Sequence, residues 1–166
     1  MIESRLAKIA MVASLAAFAL LVAFDNIADY GANFEFVRHV LSMDTTFPGN
    51  ALMYRAVTTP GLWHAAYYAI IAGEALTGLA FAAGTAEMAR NLRSDGGRFR
   101  RSKRFVYLGG SLGFLVWFFG FMVVGGEWFA MWQSKLWNGQ EAAFRIYMTV
   151  LGVLVFVGQH DDDINT

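Results

Sequence analysis

Four long apolar stretches alternate with polar segments along the chain. The first, Ile9 to Phe24, holds no charge, and it continues through Asp25, Asn26 and Asp29. The second, Leu62 to Ala86, holds one charge, Glu74. The third, Phe105 to Gly126, has none, and the fourth, Ala142 to Gly158, has Arg145 near its start. About 20 apolar residues suffice to cross a bilayer as a helix. In hydrocarbon each span must satisfy its own backbone, so helices are required. The pattern predicts spans at about residues 9–30, 62–88, 105–126 and 142–158, within one integral membrane domain covering 1–166. Short connections make neighbours antiparallel. The expected fold is an all-α membrane protein, a four-transmembrane-helix antiparallel bundle. Arg5 and Lys8 ahead of the first stretch resemble a signal peptide start, but Val22-Ala23-Phe24-Asp25 is a poor cleavage site, so a retained helix is expected.

Charge sets an orientation. Nine of the 13 basic residues fall on one side if the N-terminus is inside: Arg5, Lys8, Arg90, Arg93, Arg98, Arg100, Arg101, Lys103 and Arg104. Arg38, Arg55, Lys135 and Arg145 fall on the other. The positive-inside rule then puts both termini in the cytoplasm, with the basic loop 89–104 inside and the segments 31–61 and 127–141 outside. The same loop should attract anionic lipid headgroups. Net charge is zero, and topology accounts for the basic run, so no nucleic-acid partner is expected.

The outer segments are aromatic and long for connectors. In the first, Phe34, Val37, Val40 and Leu41 recur at helical spacing, with Phe36 beside them. This predicts a short amphipathic helix in the interface, with Asn33 as a cap. Pro48-Gly49-Asn50 predicts a turn. The second holds Trp128, Trp132 and Trp137, three of five tryptophans. Trp128 and Trp132, four apart, would share a helical face. They read either as a headgroup-level aromatic belt or as a partner-docking surface.

Within the spans, Ala65, Ala69, Gly73 and Thr77 recur every fourth residue, and Gly109 and Gly113 form GxxxG. Such spacing lets helices approach closely, within one chain or between copies. Glu74 is the most informative residue. A charged carboxylate at that depth costs several kcal/mol, so it should be neutral or face the bundle interior. It reads as a proton relay, a cation ligand, or a hydrogen-bonding pin. Asp25, Asn26 and Asp29 are its expected neighbours in an outer polar cluster. His64 stands about 15 Å above it. Arg145 would neutralise Asp25, Asp29 or Glu141, and Glu127 joins the rim.

Other chemistry is thinly represented. There is no cysteine, hence no disulfide or thiolate site. His39, His64 and His160 form no HxxxH or HExxH, so neither a metal nor a haem is expected. The run Asp161-Asp162-Asp163 reads as an exposed acidic end, and Gly96-Gly97 as a turn. No GxSxG, P-loop or dinucleotide fingerprint occurs, and no cofactor is expected.

The runs FVRHVLSMDTTFP (36–48) and GEWFAMWQSKLWNG (126–139), with Glu74 in IIAGE and the acidic tail, resemble the bacterial family of predicted small integral membrane proteins, domain of unknown function 2165. The resemblance covers nearly the whole chain. It implies a four-helix membrane protein and supplies no catalytic residue. The expected function is a non-enzymatic accessory subunit or homo-oligomeric scaffold docking through its outer loops. The alternative is a small proton or cation transporter using Glu74 and the outer carboxylates. An enzyme acting on lipid or quinone is the least supported, for want of a nucleophile–base set.

Overall fold

The computed structural model describes residues 2–162. They are helical, without a strand. Helix α1 spans Ile2–Ala28 and α2 spans Tyr30–Ser42. A single 3-10 turn at Met53–Arg55 leads to α3, Pro60–Arg90. A short α4, Gly96–Arg101, precedes α5, Arg104–Phe114. The third span continues from α5 as a π-wound segment, Leu115–Trp128. After a second 3-10 turn at Met131–Gln133, α6 runs Gln140–Gly158. Four of these helical stretches are long and apolar enough to cross a membrane: Ile2–Ala28, Pro60–Arg90, Gly96–Trp128 and Gln140–Gly158.

Local chemistry explains the boundaries. Pro60 opens α3 at a position whose N–H needs no helical partner. Asp95 caps α4, its carboxylate accepting from the Arg98 amide at 2.8 Å. Gly96-Gly97 is therefore the first turn of a helix, not a free turn. The α2 helix begins three residues before Asn33, so Asn33 is no cap; its amide is used elsewhere. The turn at Pro48 is present, closed by the Asn50 amide on the Phe47 carbonyl at 3.1 Å, with Gly49 at φ 76°.

Contacts run in opposite order along neighbouring helices. From α3 to the third span, Gly84 meets Val106, Phe81 meets Gly109, Thr77 meets Gly113 and Gly73 meets Val116. Arg5 at the start of α1 meets Leu92 just past α3, while Asn26 near its end meets Glu74. The glycines let these backbones close. A methyl group on Gly109 would lie 2.8 Å from the Phe81 ring. Leu21, Phe24, Leu79 and Val155, all within the spans, are more than half exposed, as expected of a surface bathed in hydrocarbon.

Above Gly73 the small-residue row changes role. Gly73 and Thr77 lie against the third span, but Ala65 and Ala69 are exposed. The divergence coincides with the π-wound segment, whose i to i−5 spacing is seen in the Phe129 amide on the Val124 carbonyl at 3.0 Å. Between α2, α3 and this segment lies an apolar groove of about 300 Å³. Phe129 and Met131 close its top, and the exposed Ala69 and Phe119 flank it below. Extended π winding is rare, and π-bulges favour functional sites.

Candidate functional site

Glu74 is buried, at 3% exposure. It sits on the face of α3 that meets α1, where its carboxylate accepts from the Asn26 amide at 2.7 Å. The Asn26 carbonyl oxygen accepts in turn from Asn33 at 2.7 Å and from the Tyr67 hydroxyl at 3.2 Å. Tyr67 also donates to the Asn26 backbone carbonyl at 3.2 Å. One amide thus ties α1, α2 and α3 together, using both ends of its side chain. Asn33 is the exposed end of this clasp and Glu74 its buried end.

Beyond the clasp, rings take over. Tyr30 lies 4.7 Å from Tyr67 and its hydroxyl bonds His64 Nδ1 at 2.7 Å. Phe34 stacks on His64 at 4.2 Å. His64 is therefore part of an aromatic seam holding α2 to α3, and does not reach Glu74. Asp25 and Asp29 are exposed and form no ion pair with a described residue. Arg145 pairs with Glu141 one turn along α6, both highly exposed. Of the three carboxylates expected for Arg145 it takes Glu141, and Asp25 and Asp29 are not drawn into a cluster with it. The i to i+4 pair within one helix wins over a long reach to Asp25. Among the described residues, no group of three or more His, Asp or Glu could hold a metal ion.

The two loops fold into a cap with a core of its own: Val40, Met43, Phe129, Ala130 and Met131, all buried. The only described non-glycine residues with positive φ, Met43 at 54° and Ala130 at 51°, both lie in it. Left-handed backbone costs roughly 1–2 kcal/mol per such residue, so packing must over-determine it. Thr45 and Ser134 join the loops by a 2.9 Å hydrogen bond, and the Phe47 amide bonds Gln133 at 3.0 Å. Trp137 is turned inward, stacked on His39 at 4.6 Å, and Phe36 lies on Phe121. Trp128 and Trp132 belong to different elements and share no helical face. Both are about half exposed. Arg55 lies over the Trp128 ring at 4.6 Å, and Phe47 meets Trp132 edge-on at 5.8 Å.

Four apolar helical stretches, the cap and the clasp are the frame on which a sequence comparison can be placed. Residues 4–160 match the family model described as predicted small integral membrane protein, domain of unknown function 2165. The chain belongs to that family. No curated protein and no solved structure gives a significant match. The family's description fits the four spans and carries no activity with it.

The opposite end of this family member holds residues whose burial the charge pattern did not show. Arg5, Lys8 and Lys103, expected on one side, do gather at one end, as fully buried side chains. The acidic end is not exposed at Asp161, which is buried and bridges Lys8 at 2.7 Å and Lys103 on its other oxygen. Asp163 lies outside the described residues. Lys8 also donates to the Gln159 carbonyl at 3.0 Å, and Lys103 to that of Val157 at 2.6 Å. Arg5 donates to the carbonyls of Leu92, Ser94 and Asp162 at 2.6–2.9 Å and lies over the buried Phe99 ring at 4.6 Å. Cations thus gather where the last carbonyls of α6 leave partial negative charge. Burial pushes the Asp161 carboxyl up, but the hydrogen bonds and charges of Lys103 and Lys8 outweigh it and hold the group below its ordinary value.

Proposed function

We propose that this chain is a non-enzymatic membrane scaffold or accessory subunit that engages a protein partner through its cap. The carrying observation is a well-packed cap that turns large apolar side chains outward: Phe47, Met53, Tyr54, Trp128, Trp132 and Leu136 are 43–83% exposed. A cap that buries Met43 and Ala130 in costly backbone conformations while leaving these six outside is arranged for presentation. Exposed apolar patches of this kind mark interaction surfaces. Tyrosine and tryptophan anchor such contacts. The positive-inside rule puts the cap outside and the arginine-rich end in the cytoplasm of a bacterial inner membrane.

Two measurements test this reading. The chain has no cysteine, so single cysteines report sidedness. Leu136→Cys should react with a membrane-impermeant maleimide in intact cells, and Arg93→Cys only after permeabilisation; the reverse pattern overturns the orientation. On native gels of mildly solubilised membranes the chain should migrate in a discrete complex that Tyr54→Ser with Trp132→Ser dissolves. A lone monomer at every detergent level overturns the scaffold.

A second reading, proton or cation transport, draws on one observation, the chain Asn33–Asn26–Glu74 leading inward from the cap. Below Glu74, however, the bundle is filled by Val12, Leu15, Phe81, Met88, Phe99 and Val106. That apolar plug supports a clasp over a through path. Glu74→Gln should leave ion flux in liposomes unchanged; abolished flux would restore the transporter.

A further inference from the structure

We propose that the arginine-lined basin beside α4 binds a phosphate-bearing anion, the headgroup of an anionic phospholipid in the adjoining leaflet. The basin is open, about 800 Å³, and lies where the end of α3 meets α4 and the start of α5. Five arginines line it, at positions 90, 98, 100, 101 and 104, against one carboxylate, Glu87. That carboxylate is already engaged, accepting from Arg104 at 2.7 and 3.2 Å. Arg98 has only Asp95, at 4.0 Å. Arg90, Arg100 and Arg101 have no carboxylate within 4.0 Å among the described residues, and all three are exposed.

The contrast with Lys8 and Lys103 sharpens this. Lys8 and Lys103, which serve the fold at this end, are buried and paired, whereas Arg90, Arg100 and Arg101 on the basin are exposed and have no carboxylate within 4.0 Å among the described residues. Guanidinium forks match phosphate oxygens in pairs, which suits several forks around one anion. Its position favours a lipid over a soluble anion. Tyr107, one turn along α5, lines the basin and is 46% exposed, with Leu108 beside it at 48%. A tyrosine between a charged rim and an apolar flank occupies headgroup depth. A phosphate among the arginines would leave its acyl chains against the bundle's apolar flank.

The test uses the full chain in phosphatidylcholine nanodiscs doped with cardiolipin, with retained lipid counted by native mass spectrometry. Cardiolipin should be retained in preference to phosphatidylcholine. Losing one guanidinium hydrogen bond to the phosphate costs about fivefold, so Arg101→Gln should weaken retention about fivefold. The triple change Arg90→Gln, Arg100→Gln, Arg101→Gln should weaken it at least tenfold. Lysine at the same three positions, keeping charge without the fork, should fall between. Arg93→Gln, in the same loop but outside the basin, should change nothing. Equal losses for Arg93→Gln and Arg101→Gln would reduce the effect to diffuse charge and overturn the site. Displacement of cardiolipin by millimolar inorganic pyrophosphate would overturn the lipid assignment.

Discussion

The two ends of the bundle are fastened by different physics. At the basic end, three buried cations and one carboxylate bind the start of α1, the loop after α3 and the tail after α6 around Phe99. At the cap end, one asparagine and a seam of rings hold α2 to its neighbours, and no ion pair is buried among the described residues. A buried charge tolerates no loss of partner, so the first end resists change. Ring packing and hydrogen bonds through an amide tolerate substitution in small steps, so the second end can vary its surface over a fixed core. The difference teaches where to expect recognition: above the ring-packed end, on the exposed aromatics.

The comparison breaks most sharply at Asp161. Asp161→Ala leaves Lys8 and Lys103 buried without a counter-charge, and breaking such a pair costs about 3–5 kcal/mol. A drop of that size is expected in unfolding of the detergent-solubilised chain. Glu141→Ala, at the exposed pair on α6, should give no measurable change. At the cap end, Asn26→Leu strands the buried Glu74 carboxyl, while Tyr67 keeps the backbone carbonyl of residue 26 and Asn33 stays exposed to water, and should cost about 1–3 kcal/mol. Equal losses for Asp161→Ala and Asn26→Leu would erase the distinction between the ends.

Gly109→Ala should cost about 1–3 kcal/mol by overpacking against the buried Phe81 ring. Gly152→Ala, where an added methyl meets nothing within 4 Å, should not destabilise. Comparing their unfolding midpoints separates close helix approach from a general effect of glycine.

Acid should weaken the basic end. Because Asp161 is held below its ordinary value, its contribution is fully present above the unfolded carboxylate's pKa of about 3.9 and is lost as pH falls through the folded value. Stability measured from neutral pH downward should therefore stay level to about pH 5 and fall below about 4. Asp161→Asn should remove that acid limb. The smallest effect belongs to Tyr30→Phe, which loses the hydrogen bond to His64 at the cost of about 1 kcal/mol.

How much of this was legible follows from the range of each signal. The spans were readable because hydrophobicity is local and continuous. Even so, α1 begins at Ile2, seven residues before the predicted edge, and its buried cations are satisfied within the fold, Arg5 by backbone carbonyls and Lys8 by Asp161. Glu74 announced itself as a lone carboxylate in an apolar run, and Asn26 lay among its expected neighbours. Asn33 and Tyr67 did not, although Tyr67 lies seven residues before Glu74 on the same face of α3. The link from Lys8 to Asp161 joins residues more than 150 positions apart. Nothing local encodes such a pair, so a basic start and an acidic tail read as two solvated ends. The tryptophan spacing misled for another reason: the helix ends at Trp128, so a helical period had no helix to act on.

The central claim is that the cap, not the basic end, is the face that meets a protein partner. Single-cysteine crosslinking in native membranes tests it directly, with Leu136→Cys on the cap and Arg93→Cys at the basic end. The account predicts that a benzophenone maleimide attached at Leu136→Cys, which on irradiation inserts into C–H bonds of whatever protein lies against it, carries the chain into one discrete, stoichiometric higher band. It predicts that Arg93→Cys stays monomeric under the same conditions. Monomer alone from the cap position, or equal yields from the two ends, would contradict it.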